Sequence, residues 1–109
     1  MFKAAHVIMA PNSDPLQHRA LIKGDQFEYT MVVTPLFDFD QAARVCEELV
    51  KKEGVQWINL CPAFSHEAVA KVRSAIGEEV SITVSRGDVP STMIANQILI
   101  KEGWLPPME

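Results

Sequence analysis

From Phe27 onward the chain repeats one pattern: a short apolar run, a brief turn, then a capped amphipathic stretch. Residues 27–34 give way to Asp38, residues 55–60 to Ser65, and residues 80–84 to Ser91. Strands joined by helices through loops this short predict βαβ units, a parallel sheet and right-handed crossovers. Four strands do not close a barrel. The expected fold class is therefore α/β: a single small layered domain with about four mainly parallel strands. It would be an open sheet, or a half-barrel-like (βα)4 unit that covers its exposed face by oligomerising.

The separate elements can be read in order. Residues 2–10 are largely apolar on both faces, broken by Lys3 and His6, which suits a strand covered on both sides. Asp14 as cap, Pro15 at the first helical position and Gln17 three residues after the cap predict a helix to about Lys23, stopped at Gly24, with a plain loop as the alternative. In residues 27–34, Phe27, Tyr29, Met31 and Val33 share one face, with Glu28, Thr30 and Val32 on the other. Asp38 caps a helix whose stripe is Ala42, Val45, Cys46, Leu49 and Val50. Lys51 and Lys52 offset the dipole at its end, and Gly54 stops it. Ser65 caps the next helix, with Val69, Val72 and Ile76 buried, Phe64 stapled to Val69, and Gly77 as the stop. Ser91 caps a last helix through Lys101, with a very apolar face of Met93, Ile94, Ile98 and Leu99. Residues 103–109 form a short tail.

At 109 residues, 48% hydrophobic and 22% charged, the chain is expected to form one globular domain over residues 1–109. So short a chain has a modest core, and pairing with a second copy would enlarge it. A homo-oligomer, first of all a dimer, is expected. A net charge of −4 gives no electrostatic reason to bind nucleic acid or an anionic membrane. No apolar run approaches the ~20 residues of a membrane span. The first apolar run has no small-residue cleavage site after it and reads as a strand, not a signal peptide. Two cysteines are too few for a disulfide framework. The cytoplasm is the expected compartment.

Met1-Phe2-Lys3-Ala4-Ala5, Asp14-Pro15, His18-Arg19-Ala20, Gly54-Val55-Gln56, Leu60-Cys61 followed by Phe64, Glu67-Ala68-Val69-Ala70-Lys71-Val72 and Ser85-Arg86 run along most of the chain. On these residues it resembles a family of small bacterial and archaeal proteins known as a domain of unknown function. The resemblance implies a family and no activity. The family's loop after the cysteine is often glycine-rich. Pro62-Ala63 stand there here, which disfavours close backbone approach to a ligand.

Chemistry concentrates where residues 55–60 end. Cys61 lies near a helix start, where the dipole favours a thiolate. His66 is placed to take its proton and Glu67 to orient the imidazole, the layout of an activated thiol. A core cysteine and a dipole-favoured acid in a first helical turn explain the same residues. Arg86 and Asp88, with Ser65, His66 and Ser91 at two neighbouring helix starts, outline a site for a phosphate or carboxylate. Alternatively, Arg86 pairs with an acid and only ties loops together. Arg86-Gly87-Asp88 also spells an integrin-binding tripeptide, a coincidence in a chain without a secretory signal. His6, His18, His66 and Cys61 show no zinc spacing, and no metal is expected. Asp38 and Asp40 are explained by capping and by the first turn. No phosphate loop, nucleophile elbow or dinucleotide fingerprint occurs, and no cofactor is indicated. Three readings follow: a binding domain for an anionic metabolite, a small isomerase or lyase using Cys61 and His66, and an accessory oligomer acting through the last helix and Trp104.

Overall fold

The computed structural model describes residues 1–107; residues 108 and 109, the end of the expected tail, lie outside the described residues. The elements are β1 (Phe2–Ala10), β2 (Arg19–Lys23), β3 (Phe27–Pro35), α1 (Phe39–Glu53), β4 (Trp57–Leu60), α2 (His66–Ile76), β5 (Ser81–Val84) and α3 (Val89–Lys101). They form one sheet in the order β2-β3-β1-β4-β5. Strands β3, β1, β4 and β5 are parallel, and β2 runs antiparallel on the edge. The α/β class and mainly parallel order stand, with five strands in a mixed sheet in place of about four.

The extra strand lies where a helix or a plain loop was expected. Asp14 does close a turn: its Oδ1 accepts from the Leu16 amide at 2.9 Å and its carbonyl from the His18 amide at 2.8 Å. The turn stops there, because the backbone of residues 19–23 pairs instead with β3, Ala20 opposite Met31 and Ile22 opposite Tyr29. A ladder with a distant strand overrides a local capping signal.

The core lies on one face of the sheet. Ala5, Val7 and Met9 of β1, Val32 of β3, and Ile58 and Leu60 of β4 are buried with Ala42, Cys46 and Leu49 of α1 and Ala68 and Val72 of α2. Thr34 is the one buried polar side chain among the described residues, and its hydroxyl donates to the Ile8 carbonyl at 3.2 Å. Asp38 caps α1 and Ser65 caps α2 as their spacing predicts. Gly54 ends α1 at φ 75°, a left-handed conformation that glycine adopts without steric cost. Lys71 of α2 donates to Asp40 of α1 at 2.8 Å and holds that carboxyl below its ordinary range.

Strand β1 is not covered on both sides. The chain passes from β1 to β3 through β2, with no helix between them, so among the described residues no helix covers the Phe2, Ala4 and His6 end of the opposite face. Phe2, Tyr29, Met31 and Trp57 stay exposed there. Helix α3 also departs from expectation. Its cap is Asp88 rather than Ser91, and none of its residues is buried. It projects from the body, and the molecule measures 47 × 27 × 26 Å with a radius of gyration of 14.5 Å, against about 13 Å for a compact chain of this length. Among the described residues no helix is long and apolar enough to cross a membrane.

Because Leu49 is wholly buried between α1 and the sheet, Leu49→Ala should cost about 3 kcal/mol in urea denaturation. A loss below about 1 kcal/mol would mean that the α1 stripe is not the core.

Candidate functional site

Strand β1 leads, through β2, to β3 on one side of it, whereas β4 leads through α2 to β5 on the other. The carboxyl ends of β1 and β4 therefore flank a topological switch point, where open α/β sheets bind ligands. A cavity of about 620 Å3 lies there. Ile8, Met9, Leu36 and Phe37 form its floor, Cys61 to Ala63 one wall, and Ala95 and Leu99 of α3 with Trp104 and Leu105 its roof. Ser91, Thr92 and Asn96 are the polar side chains on the α3 side. Helix α3 thus turns one side, residues 91, 92, 95, 96 and 99, toward the carboxyl ends of the strands.

One short connection shapes the floor and another the roof. Phe37 holds φ 62°, a left-handed conformation costing a β-carbon-bearing residue roughly 1–2 kcal/mol. Its amide donates to the Met9 sulfur at 3.4 Å, so the strained turn is fixed to β1 directly at the cavity. Strain of this kind gathers at functional sites. The tail is held by the Trp104 amide, which donates to the Leu99 carbonyl at 2.8 Å.

Of the residues singled out from sequence, Cys61 and Ser91 line this cavity. Cys61 is 9% exposed. Among the described residues no hydrogen bond joins its thiol to His66 or Glu67, which stand exposed in the first turn of α2. Glu67 borders a shallow hollow between α1 and α2 together with Asp40 and Lys71. Ser65 is spent as a cap, accepting from the Ala68 amide at 3.1 Å. Asp88 accepts from the Ser91 amide at 2.7 Å, and that bond holds its carboxyl below the ordinary range. Arg86 donates to the Pro62 carbonyl at 3.0 Å and to the Phe64 carbonyl at 2.6 Å. It ties the loop after β5 to the loop after β4, through carbonyls rather than an acid. Of the histidines, His6 stands on the open sheet face, and His18 Nδ1 accepts from the Asp14 amide at 2.8 Å.

Sequence reasoning named Leu99 and Trp104 of the apolar lining, though not as lining a site, and missed Leu36 and Phe37. The signals were present in Leu36-Phe37, an apolar pair inside a turn, and in Asn96, one of two adjacent amides amid the apolar residues of the last helix.

Cys46 lies wholly buried in the α1 stripe. Burial pushes the Cys46 thiol up to about 12 from its ordinary value near 9. The folded state keeps this proton while the unfolded chain loses it above about pH 9. The associated stability is full below that pH and is lost as pH rises toward 12, by up to ~1.4 kcal/mol per pH unit. Urea midpoints should fall across pH 9–11 in the native protein, and less steeply in Cys46→Ala. Arg86→Ala should lower stability by about 1 kcal/mol, since it unties two loops; an unchanged urea midpoint would show the tie to be idle.

No curated protein and no solved structure matches the chain. A family model described as "Family of unknown function (DUF6506)" matches residues 2–99, from β1 through most of α3 and short of Trp104 and Leu105. With nearly its whole length matched, the chain belongs to this family of unknown function.

Proposed function

We propose that the domain binds a small molecule with an uncharged, largely apolar body in the cavity between the carboxyl ends of β1 and β4 and helix α3. One observation carries this reading: a cavity of ligand size at the topological switch point, apolar in most of its lining, with Ser91, Thr92 and Asn96 grouped on one side. The anionic ligand suggested by Arg86 and the helix starts loses its donors. Asp88 supplies the negative group at the start of α3, Ser65 caps α2, and Arg86 is bound to two carbonyls. In this reading the protein acts as a homodimer in the cytoplasm, where its two free thiols stay reduced.

An isomerase or lyase centred on Cys61 is the second reading, favoured by the thiol's place in the cavity wall. A nucleophile would alkylate with a midpoint well below the free-thiol value of ~8.5. A thiol that merely lines the wall would not.

The test is an NMR titration with pairs of bicyclic fragments, such as 2-naphthylmethanol and 2-naphthoate, that share a body and differ in charge. The neutral member should bind more tightly and shift the indole signal of Trp104, leaving that of Trp57, which lies outside the cavity, in place. Ala95→Trp, which fills the cavity, should abolish the shift. A preference for the carboxylates, or no response at Trp104 across the set, would sink the reading.

A further inference from the structure

The sheet face opposite α1 and α2 is bare and apolar. Trp57, Phe2, Tyr29 and Phe27 cross it as an aromatic row, with successive ring centroids 6.0, 6.2 and 4.9 Å apart. Ile22 and Met31 widen the row, and His6 sits among them. The Trp57 indole N–H already donates to the Thr83 hydroxyl at 3.0 Å. By the alternation of the strands, no Asp, Glu, Lys or Arg points to this face. The strand charges lie on the other side and are paired there, Lys3 and Lys23 with Glu28 and Arg19 with Glu53.

Helix α3 carries a second bare apolar surface. Its inner side faces the cavity. Its outer side presents Val89, Met93, Ile94 and Ile98, which are 74%, 59%, 58% and 53% exposed, with the uncharged Gln97 among them. The only charge among the residues of α3 is Lys101, at its end. A monomer seldom exposes patches of this extent.

The helix does not fold back over its own sheet. Ser85 is held by the Leu60 carbonyl at 2.8 Å and by Asn59 at 3.1 Å. Arg86 is bound to Pro62 and Phe64, and Asp88 caps the helix. Ser85 and Arg86 thus anchor the connection from β5, and α3 lies at the carboxyl ends of the strands over the cavity that Ile8 lines, leaving the aromatic row uncovered. The two surfaces nevertheless match. A helix of this length spans about 20 Å, and five strands span about 19 Å. Neither surface carries an unpaired charge at its centre. Phe2, Ile22, Tyr29, Met31 and Trp57, with the four α3 side chains, leave on the order of 800 Å2 uncovered per copy, which is what a standard interface takes from each partner.

We propose that α3 of one copy lies, outer side down, across the bare sheet face of a second copy, and the reverse, giving a two-fold dimer with two identical helix–sheet contacts. The proposal gives an interface to the homodimer of the reading above and does not depend on its ligand.

Sedimentation of the full chain over a concentration series tests it, with Ile94→Glu on the helix and Met31→Arg on the sheet. Both side chains are exposed, so circular dichroism should show each variant folded. The native chain should be a dimer, and each variant should dissociate at about a hundred-fold higher protein concentration, its dimer constant weakened about a hundred-fold. Mixing the two variants should restore a dimer, because one contact is then native and the other pairs opposite charges. A native chain that stays monomeric at 100-fold above about micromolar concentration overturns both this proposal and the homodimer. A dimer indifferent to either substitution overturns the proposal alone and leaves the homodimer. Failure to recover on mixing overturns the reciprocal exchange.

Discussion

The chain reaches β3 from β1 by way of an edge strand and not a helix, and this leaves one face of the sheet bare. The two helical crossovers that follow, β3 to β4 and β4 to β5, run in the same direction across the sheet. Right-handed crossovers in one direction place their helices on one face, so α1 and α2 lie side by side and share a single core. A layered α/β domain usually covers both faces of its parallel strands. Here the alternation along β1 records the difference: Ala5, Val7 and Met9 are buried, whereas Ala4, His6 and Ile8 on the other face are only partly so.

The last helix answers to the same topology. Among the described residues no strand follows β5. The connection is instead fixed by side-chain bonds: Ser85 to Asn59, Arg86 to the loop after β4, and Asp88 to the start of α3. These contacts set the helix over the strand ends, and the space left beneath it is the cavity. Arg86 is thus a positioning residue for the site. It does not line the cavity, but it joins the Cys61–Phe64 wall to the loop from which the roof begins.

What could be read in advance follows how local each signal is. The caps Asp38 and Ser65 and the stops Gly54 and Gly77 act on their own helices, and each does what its spacing predicts. The buried stripe Ala42, Cys46 and Leu49 is likewise a matter of helical period. Strand β2 was hidden because Asp14 and Pro15 give a true turn signal, while the strand after it exists only through pairing with β3. The cap of α3 was misplaced by three residues because Asp88 and Ser91 are both capping types, and only the backbone shows which one accepts. At the site, Cys61 and Ser91 were legible from their place after strands. Arg86 was legible as important but not in its partners, since main-chain carbonyls leave no mark in a sequence. The turn at Phe37 was not legible, because phenylalanine in a left-handed conformation runs against every local preference.

Helix α3 has two working sides, and this bears on how the cavity and the dimer would act together. Residues 91, 92, 95, 96 and 99 face the cavity, whereas Val89, Met93, Ile94 and Ile98 face outward. In the body of one copy the helix is tied through the Arg86 bonds just before its start, while Trp104 bonds back to Leu99 of the helix itself and no residue of α3 is buried. A partner's sheet against the outer side would restrict the same helix that a ligand restricts from the inner side. Whichever binds first meets the cost of ordering α3, and the second binds to a helix already in place. Linkage makes that effect reciprocal. On the proposed ligand and dimer, the exposed apolar surface of α3 would be the element through which occupancy of the cavity and association of two copies inform each other.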